Sequence, residues 1–415
     1  MRVTILALGS RGDVQPFISL GLRLQVGGYE VHLAAIEDYA DLVRQYDLTF
    51  VPLIGSARAL ANPDAIQAAL RGGPPKLARY FFREVEPLAE RLLHDCWQAA
   101  RDSDALVVST LGMYPALHLV EKWQIPWMVA HFHPYAPLAI EPHGSFPRAL
   151  RIVPGYNHFT YTLVDHVFSQ LLRRAFNRAR RRWFELPPLS PGELWQRTRQ
   201  PPALFGFSPT VVPELQSHPN VTGYWFTQRP AAWQPPAALV DFLRVGPPPV
   251  MVSFGSMMFG KRGQTITATL VEALARSQQR GLIFCGWGDL AQIALPPTVM
   301  AVNEIPHDWL LPQVKAIIHH GGAGVTAAAL RYGVPAITVP FLGDQLFWGE
   351  RVAALGAGLR PLPRRYFNAE SLSKAIDMVC GQTPFRYHAV RIGQQLACED
   401  GVESAFMLLK QTVKG

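Results

Sequence analysis

The chain is 415 residues long, with 49% hydrophobic and 17% charged residues and a formal net charge of +8. That length suits two domains of ordinary size, and that much apolar material excludes a largely disordered chain. The positive charge implies attraction to something anionic (nucleic acid, anionic lipid or a nucleotide diphosphate) without choosing among them.

An apolar run from Val3 to Leu8 opens the chain and ends at Gly9. It is too short for the apolar region of a secretory leader and predicts a parallel strand buried on both faces. Pro16 suits the first turn of the helix that follows, where its missing N–H costs nothing. Phe17, Leu20, Gly21 and Leu24 then recur at helical spacing until Gly27-Gly28. Val31 to Ile36 predicts a second strand, Asp38 to Tyr46 a helix, and Phe50 to Leu53 a third strand. Ala105 to Ser109 and Trp127 to Ala130 follow as strands with a helix between them. Such alternation predicts a doubly wound parallel sheet.

The rhythm breaks between about Pro134 and Pro202. There Phe168, Leu172, Ala175, Ala179 and Trp183 share a helical face, with charge from Arg173, Arg174, Arg178 and Arg180 to Arg182. A solvated helix over an apolar groove and a contact with a membrane surface both fit. Residues 227–249, with Pro230, Pro235, Pro236 and a Gly-Pro-Pro-Pro run, predict an interdomain linker. The α/β rhythm then restarts. Val250 to Phe254, Leu282 to Cys285, Ala316 to Ile318 and Ala336 to Val339 are predicted strands, and Thr265 to Ser277 a helix. The expected division is 1–226, linker 227–249, 250–395, and a tail 396–415 whose helix, about Val402 to Gln411, returns to the first domain. Cys96, Cys285, Cys380 and Cys398 lack paired spacing, so neither a disulfide framework nor a zinc site is expected. No run approaches the roughly 18 apolar residues of a membrane span, and a cytoplasmic setting is expected.

The most informative stretch is His319-His320-Gly321-Gly322-Ala323-Gly324-Val325-Thr326, which leads from a strand into a helix predicted over Thr326 to Tyr332. Glycines let a ligand approach the backbone, and a helix N-terminus offers free N–H groups and a partial positive charge. A diphosphate suits such a site, with a histidine adding a hydrogen bond. The histidine pair lacks further ligands at metal spacing, and the first strand is not followed by GxGxxG. Asp13 lies just beyond that strand, where helix capping and a catalytic base are both open. Asp102-Ser103-Asp104 offers paired carboxylates, but it precedes a strand and suits a turn better than a metal.

The His319 to Thr326 stretch, with Pro340-Phe341-Leu342-Gly343-Asp344-Gln345-Leu346-Phe347-Trp348 after it, resembles the donor-binding signature of the family 1 glycosyltransferases. The sterol glucosyltransferases and the glycosyltransferases of glycopeptide-antibiotic synthesis are the members it looks most like. The likeness extends to Gly9-Ser10-Arg11-Gly12-Asp13-Val14-Gln15-Pro16, to Phe254-Gly255-Ser256 and to Pro306-His307-Asp308-Trp309-Leu310-Leu311-Pro312-Gln313, and is weak only over about 134–245.

The resemblance implies the GT-B fold, two doubly wound Rossmann-like domains facing across a cleft, the first for the acceptor and the second for the donor. It implies that His320 and the backbone through Gly322, Gly324, Val325 and Thr326 hold the diphosphate. Val325 stands where such proteins usually have threonine. Asp344 and Gln345 would read the sugar hydroxyls, and Trp287 with Ile305 to Trp309 would enclose the base. Ser10, Gly12 and Ser256 would add donor contacts. Asp13 matches the aspartate that serves as base. His131, Phe132 and His133 are candidates for the acceptor pocket, a structural role being equally open for the histidines.

The implied activity is an inverting, metal-independent transfer of a hexose to a hydroxyl of a hydrophobic acceptor such as a sterol, carotenoid, lipid or polyketide-type aglycone. UDP-glucose is the first donor implied and a dTDP-sugar the second. No cofactor beyond the nucleotide sugar and no nucleic-acid partner is expected, whereas peripheral contact with anionic membrane is. A nucleotide-sugar epimerase of the same fold, or a non-catalytic lipid- or nucleotide-sugar-binding module, is the alternative. Asp13 speaks against both, with the acceptor region against the epimerase and His320 against the binding module.

Overall fold

Apolar side chains on both faces make Arg2–Leu6 (β1) a strand that only a sheet covered on both sides can hold. The computed structural model describes residues 1–56, 79, 81–135, 138–198, 201–255, 260–285, 295–341 and 343–414. It divides into two units, Met1–Phe207 with Ser217–Thr227 and Asp400–Gly415, and Ser208–Gln216 with Gln228–Glu399.

In the first unit β1 is joined by Glu30–Ile36 (β2), Thr49–Leu53 (β3), Ala105–Ser109 (β4), Trp127–His131 (β5) and Ala203–Phe205 (β6). The order is β3-β2-β1-β4-β5-β6, every pair parallel, with Val3 registered against Val31 on one side and Ala105 on the other. Strand order reverses between β1 and β4, so the chain leaves their carboxyl ends in opposite directions and a crevice opens there. Among the described residues its helices include Arg11–Val26 (α1), the short Ala40–Arg44, Glu86–Ala100 (α2), Met113–Trp123 (α3), Tyr156–Ala179 (α4) and Pro191–Thr198 (α5).

The second unit repeats the plan. Val250–Ser253 (β7), Gly281–Phe284 (β8), Val299–Val302 (β9), Ala316–His319 (β10) and Ala336–Thr338 (β11) pair in parallel in the order β11-β10-β7-β8-β9. Its reversal falls between β7 and β10. Gly260–Arg276 (α6), Ala323–Arg331 (α7), Gln345–Ala354 (α8), Ala369–Gly381 (α9) and Thr383–Ala397 (α10) follow. The last helix, Gly401–Lys414 (α11), belongs to the first unit, where Arg23 of α1 pairs with Glu403 (3.0 Å) and lies 3.7 Å over the Phe406 ring.

Several expectations shift. The first helix starts at Arg11, so Pro16 sits at its sixth position, beyond the first turn. Ser10 and Asp13 together begin the helix before the proline can. In the same way α7 starts at Ala323, three residues before Thr326, because Gly322 is its cap. Within 227–249, Ala237–Arg244 is helical. The strands β6 and β9 follow proline pairs, Pro201-Pro202 and Pro296-Pro297, which hid them. Helix α4 begins at Tyr156, well before Phe168, because its buried face there carries the polar residues Thr160, Asp165 and Ser169.

Candidate active site

At the first sheet's reversal the chain leaving β1 is clasped by Ser109 at the end of β4. Leu8 donates its N–H to Ser109 Oγ (2.9 Å), and the same hydroxyl donates to the Leu8 carbonyl (2.8 Å). Gly9 then turns at φ +139°, a conformation open in practice to glycine alone. A Cβ at Gly9 would lie 2.3 Å from Asp13 Oδ2, so the absent side chain leaves room for that carboxylate. Asp13 is the third residue of α1. Its Oδ2 accepts the Ser10 N–H (2.7 Å) and the Ser10 hydroxyl (2.9 Å). An acid in a helix's first turn is favoured by the dipole. Ser10 and Gly12 are exposed beside it.

The acceptor candidates divide. His131 is 1% exposed, stacks on Tyr135 with ring centroids 4.6 Å apart, and its Nδ1 lies 2.9 Å from the Thr110 hydroxyl. Burial pushes its pKa down to about 3. Phe132 is buried edge-on to Phe17 and Trp225. Both therefore build the core beneath the surface rather than line it, since strand alternation at β5 turns them into packed layers. His133 is half-buried, between the rings of Tyr135 and Tyr161.

Sequence reading missed the group that ties this segment down. Asp165 of α4, buried, accepts hydrogen bonds at one oxygen from the hydroxyls of Tyr114 (2.9 Å) and Tyr135. Burial raises its pKa, while the two hydroxyls act against the rise. Its standing as the one acid between Glu141 and Glu185 was the available signal. The paired carboxylates at 102 and 104 meet Arg2, whose N–H donates to Asp104 (2.7 Å) and whose guanidinium lies 3.7 Å from Asp102.

At the second reversal β10 ends in two histidines that point opposite ways, as successive strand residues do. His319 is buried, and its Nδ1 accepts the Gly321 N–H (3.0 Å). His320 is half-buried, with Nδ1–H donating to the Ser253 carbonyl at the end of β7 (3.4 Å). Burial lowers its pKa, against the opposing pull of the Ser253 carbonyl and of Asp344. Gly321 has φ +91°, and a Cβ there would meet the Gln345 carbonyl at 2.5 Å and Thr338 Cγ2 at 2.8 Å. A Cβ at Gly322 would sit 2.6 Å from His320 Nε2.

The first turn of α7 begins immediately beyond, and its opening N–H groups lack intrahelical partners. Gly324 is exposed there, and a Cβ on it would meet nothing within 4 Å. Val325 is buried. Thr326 departs from expectation, because its amide bonds the Gly322 carbonyl (3.0 Å) and its side chain is 0% exposed. The amide thus closes the helical turn, while the buried hydroxyl has no hydrogen-bond partner among the described residues.

Asp344 occupies the N-cap position of α8, and its charge reaches His320. The fully buried Trp348 donates its indole N–H to Asp344 Oδ2 (2.9 Å) and so fixes the carboxylate. Gln345 is buried, and its Oε1 accepts the Phe341 N–H (2.7 Å), so its side chain closes the turn that its carbonyl presses onto Gly321. Ile305 is buried, ahead of the short helix His307–Leu310, and Trp309 there packs on Trp233 with centroids 5.4 Å apart. Ser256 and Trp287, both expected at this site, lie outside the described residues.

Residues 3–140 match the glycosyltransferase family 28 N-terminal domain, and residues 288–402 match the erythromycin biosynthesis protein CIII-like C-terminal domain. The sterol 3-beta-glucosyltransferase of Emericella nidulans is 32% identical over 99% of this chain, which spans 30% of that protein. The sterol 3-beta-glucosyltransferase of Arabidopsis thaliana is 32% identical over 98% of this chain, which spans 67% of it. This chain thus corresponds to under a third of the fungal protein and to two thirds of the plant one. Among solved structures, the glycotransferase of kitacinnamycin superposes with a TM-score of 0.68 at 20% identity, covering 99% of both chains. The calicheamicin glycosyltransferase does so at 0.68 and 18%, covering 100% of this chain and 98% of that one. These structures share the fold of two parallel-sheet α/β domains.

Proposed function

Because the chain belongs to the family 1 glycosyltransferases of GT-B fold, we propose that it transfers glucose from UDP-glucose to a hydroxyl of a sterol-like acceptor with inversion at the anomeric carbon. The observation that carries this reading is Asp13, held by Ser10 over Gly9 at the reversal of the first sheet. In the proposed step Asp13 takes the proton of the acceptor hydroxyl as its oxygen attacks the anomeric carbon. The bond to the nucleoside diphosphate breaks on the opposite face, so one displacement converts an α-linked donor into a β-glycoside.

On the second unit, the α7 N-terminus and His320 take up the charge of the departing diphosphate, and Asp344, held by Trp348, bonds sugar hydroxyls. That arrangement supplies the charge balance from protein groups, which supports a reaction without a divalent cation. The relatives' names support a sterol-type acceptor, and the apolar, aromatic middle of the chain suits one.

The test is a transfer assay with UDP-glucose and dTDP-glucose, a panel of sterols and other hydrophobic alcohols, and EDTA present. Asp13→Asn is expected to lower kcat about 10²- to 10⁴-fold while nucleotide-sugar binding stays intact. Product formed equally well by Asp13→Asn overturns the base assignment, and activity abolished by EDTA overturns metal independence.

A further inference from the structure

The solvent side of α4 changes character along its length. Phe159, Leu163, Val167 and Leu171 recur every four residues, and Phe159 is 55% exposed. At helical spacing the same side continues as Arg174, Arg178 and Arg181, all exposed. Just ahead of the helix, the turn Arg148–Ile152 presents Leu150 and Ile152, the latter 84% exposed. Large apolar side chains gathered in water mark a contact surface.

Charge narrows what the contact is. From Arg151 to Arg182 the sequence holds seven arginines and one acid, Asp165, which is buried. Arg178 is matched by Glu86 (2.6 Å) and Glu90 (2.7 Å), and the buried Arg180 by Glu121 (2.6 Å). Arg174, Arg181 and Arg182 stand exposed at the basic end. Beside the apolar end, a groove of about 580 Å³ runs between Phe159, His166 and Trp195 of α5. An indole set next to aliphatic side chains is the chemistry of a membrane–water interface.

We propose that this face seats the protein on an anionic lipid surface. Ile152 and Phe159 enter the acyl boundary, and Arg174, Arg181 and Arg182 meet lipid phosphates. An apolar stripe alone would suit the groove of a protein partner equally well. The exposed acid that follows, Glu185, lies 3.7 Å from Lys122, so the arginines continuing the same stripe keep that end positive and select the lipid.

The proposal does not depend on the sugar-transfer reading, so it is tested without donor or acceptor. The full chain is floated with phosphatidylcholine vesicles with and without phosphatidylglycerol, at low and high salt. Flotation with the anionic vesicles only, lost at high salt, is expected. Arg181→Glu with Arg182→Glu is expected to weaken partitioning about tenfold or more, and Ile152→Ser with Phe159→Ser by a similar factor. These side chains are exposed, so thermal melts are expected to match wild type. Absence of flotation at low salt, equal binding to neutral vesicles, or indifference to both pairs of changes overturns the proposal. So does a wild-type dimer that Ile152→Ser with Phe159→Ser makes monomeric, which would assign the face to a second copy of the chain.

Discussion

At Asp13 the two roles left open in the sequence coincide. The contacts that make it a cap, from Ser10 N–H and Oγ to Oδ2, also fix where the carboxylate stands. Gly9 makes that position available. Gly9→Ala places a methyl 2.3 Å from Asp13 Oδ2 at a backbone angle alanine avoids, so the carboxylate must move. We expect kcat to fall about 10²-fold and nucleotide-sugar affinity to fall much less, because His320, Asp344 and the α7 N-terminus lie in the other unit. Unchanged kcat would show that the carboxylate's placement is immaterial. His320 carries a second expectation. Its Nδ1–H is given to Ser253 and burial keeps it neutral, so Nε2 is bare until a diphosphate arrives. An anion beside Nε2 raises the folded value, so nucleotide binding takes up a proton and affinity falls as pH rises above neutrality. Calorimetry in buffers of different ionisation enthalpy measures that uptake, and His320→Asn should abolish it. Binding without proton uptake by the wild type would place the phosphate elsewhere.

The elements around the donor loop show why the glycines differ in purpose. Gly321 is fixed by what already fills its space, the Gln345 carbonyl at 2.5 Å, whereas Gly324 has nothing within 4 Å and faces solvent. Gly321→Ala should therefore destabilise the second unit by about 2–4 kcal/mol, strain and overpacking together. Gly324→Ala should stabilise α7 by up to about 1 kcal/mol through helix propensity yet weaken nucleotide-sugar binding, because its methyl meets the phosphate. Thermal melts with and without nucleotide separate the cases, and a Gly324→Ala protein that binds normally would remove the α7 N-terminus from the site. Both glycines are visible in the sequence, but their distinction is not. It depends on Gln345 and Thr338, which only the packing of α8 and β11 brings to Gly321. The same limit explains Gln345, a polar residue in a ligand-like motif that spends its amide oxygen on the loop itself, and Thr326, whose amide belongs to the helix. Hydrophobic period identified β1, β4 and β10 to within two residues, because strands buried on both faces are apolar throughout. It failed for the first half of α4, whose buried face is polar, and for the two short strands after proline pairs.

Across the molecule, buried neutral histidines tie stability to pH. His118, His131 and His319 are each buried enough to bring the pKa from 6.5 to about 3. Two use an unprotonated Nδ1 as acceptor, His118 from Arg180 (3.1 Å) and His319 from the Gly321 amide (3.0 Å). The unfolded chain binds the extra proton near its ordinary value, so between about pH 6.5 and 3 it holds more protons than the folded one. Stability is therefore full above that window and is lost as pH falls through it. Each histidine contributes a slope of about 1.4 kcal/mol per pH unit. Burial lowers His143 and His320 as well, so three such rings lie in the first unit and two in the second, and the first should lose stability the more steeply, by about 1.4 kcal/mol per pH unit. Asp165 opposes the trend in the first unit, since a raised carboxyl favours the folded state as pH falls, but it is one group against three. Hydrogen exchange followed peptide by peptide from pH 7 to 4 should show first-unit amides losing protection at the higher pH. Asn at position 118 or 131 should reduce the first unit's slope by about one proton. Equal acid sensitivity of the two units would mean that these rings gain protons without unfolding the chain around them.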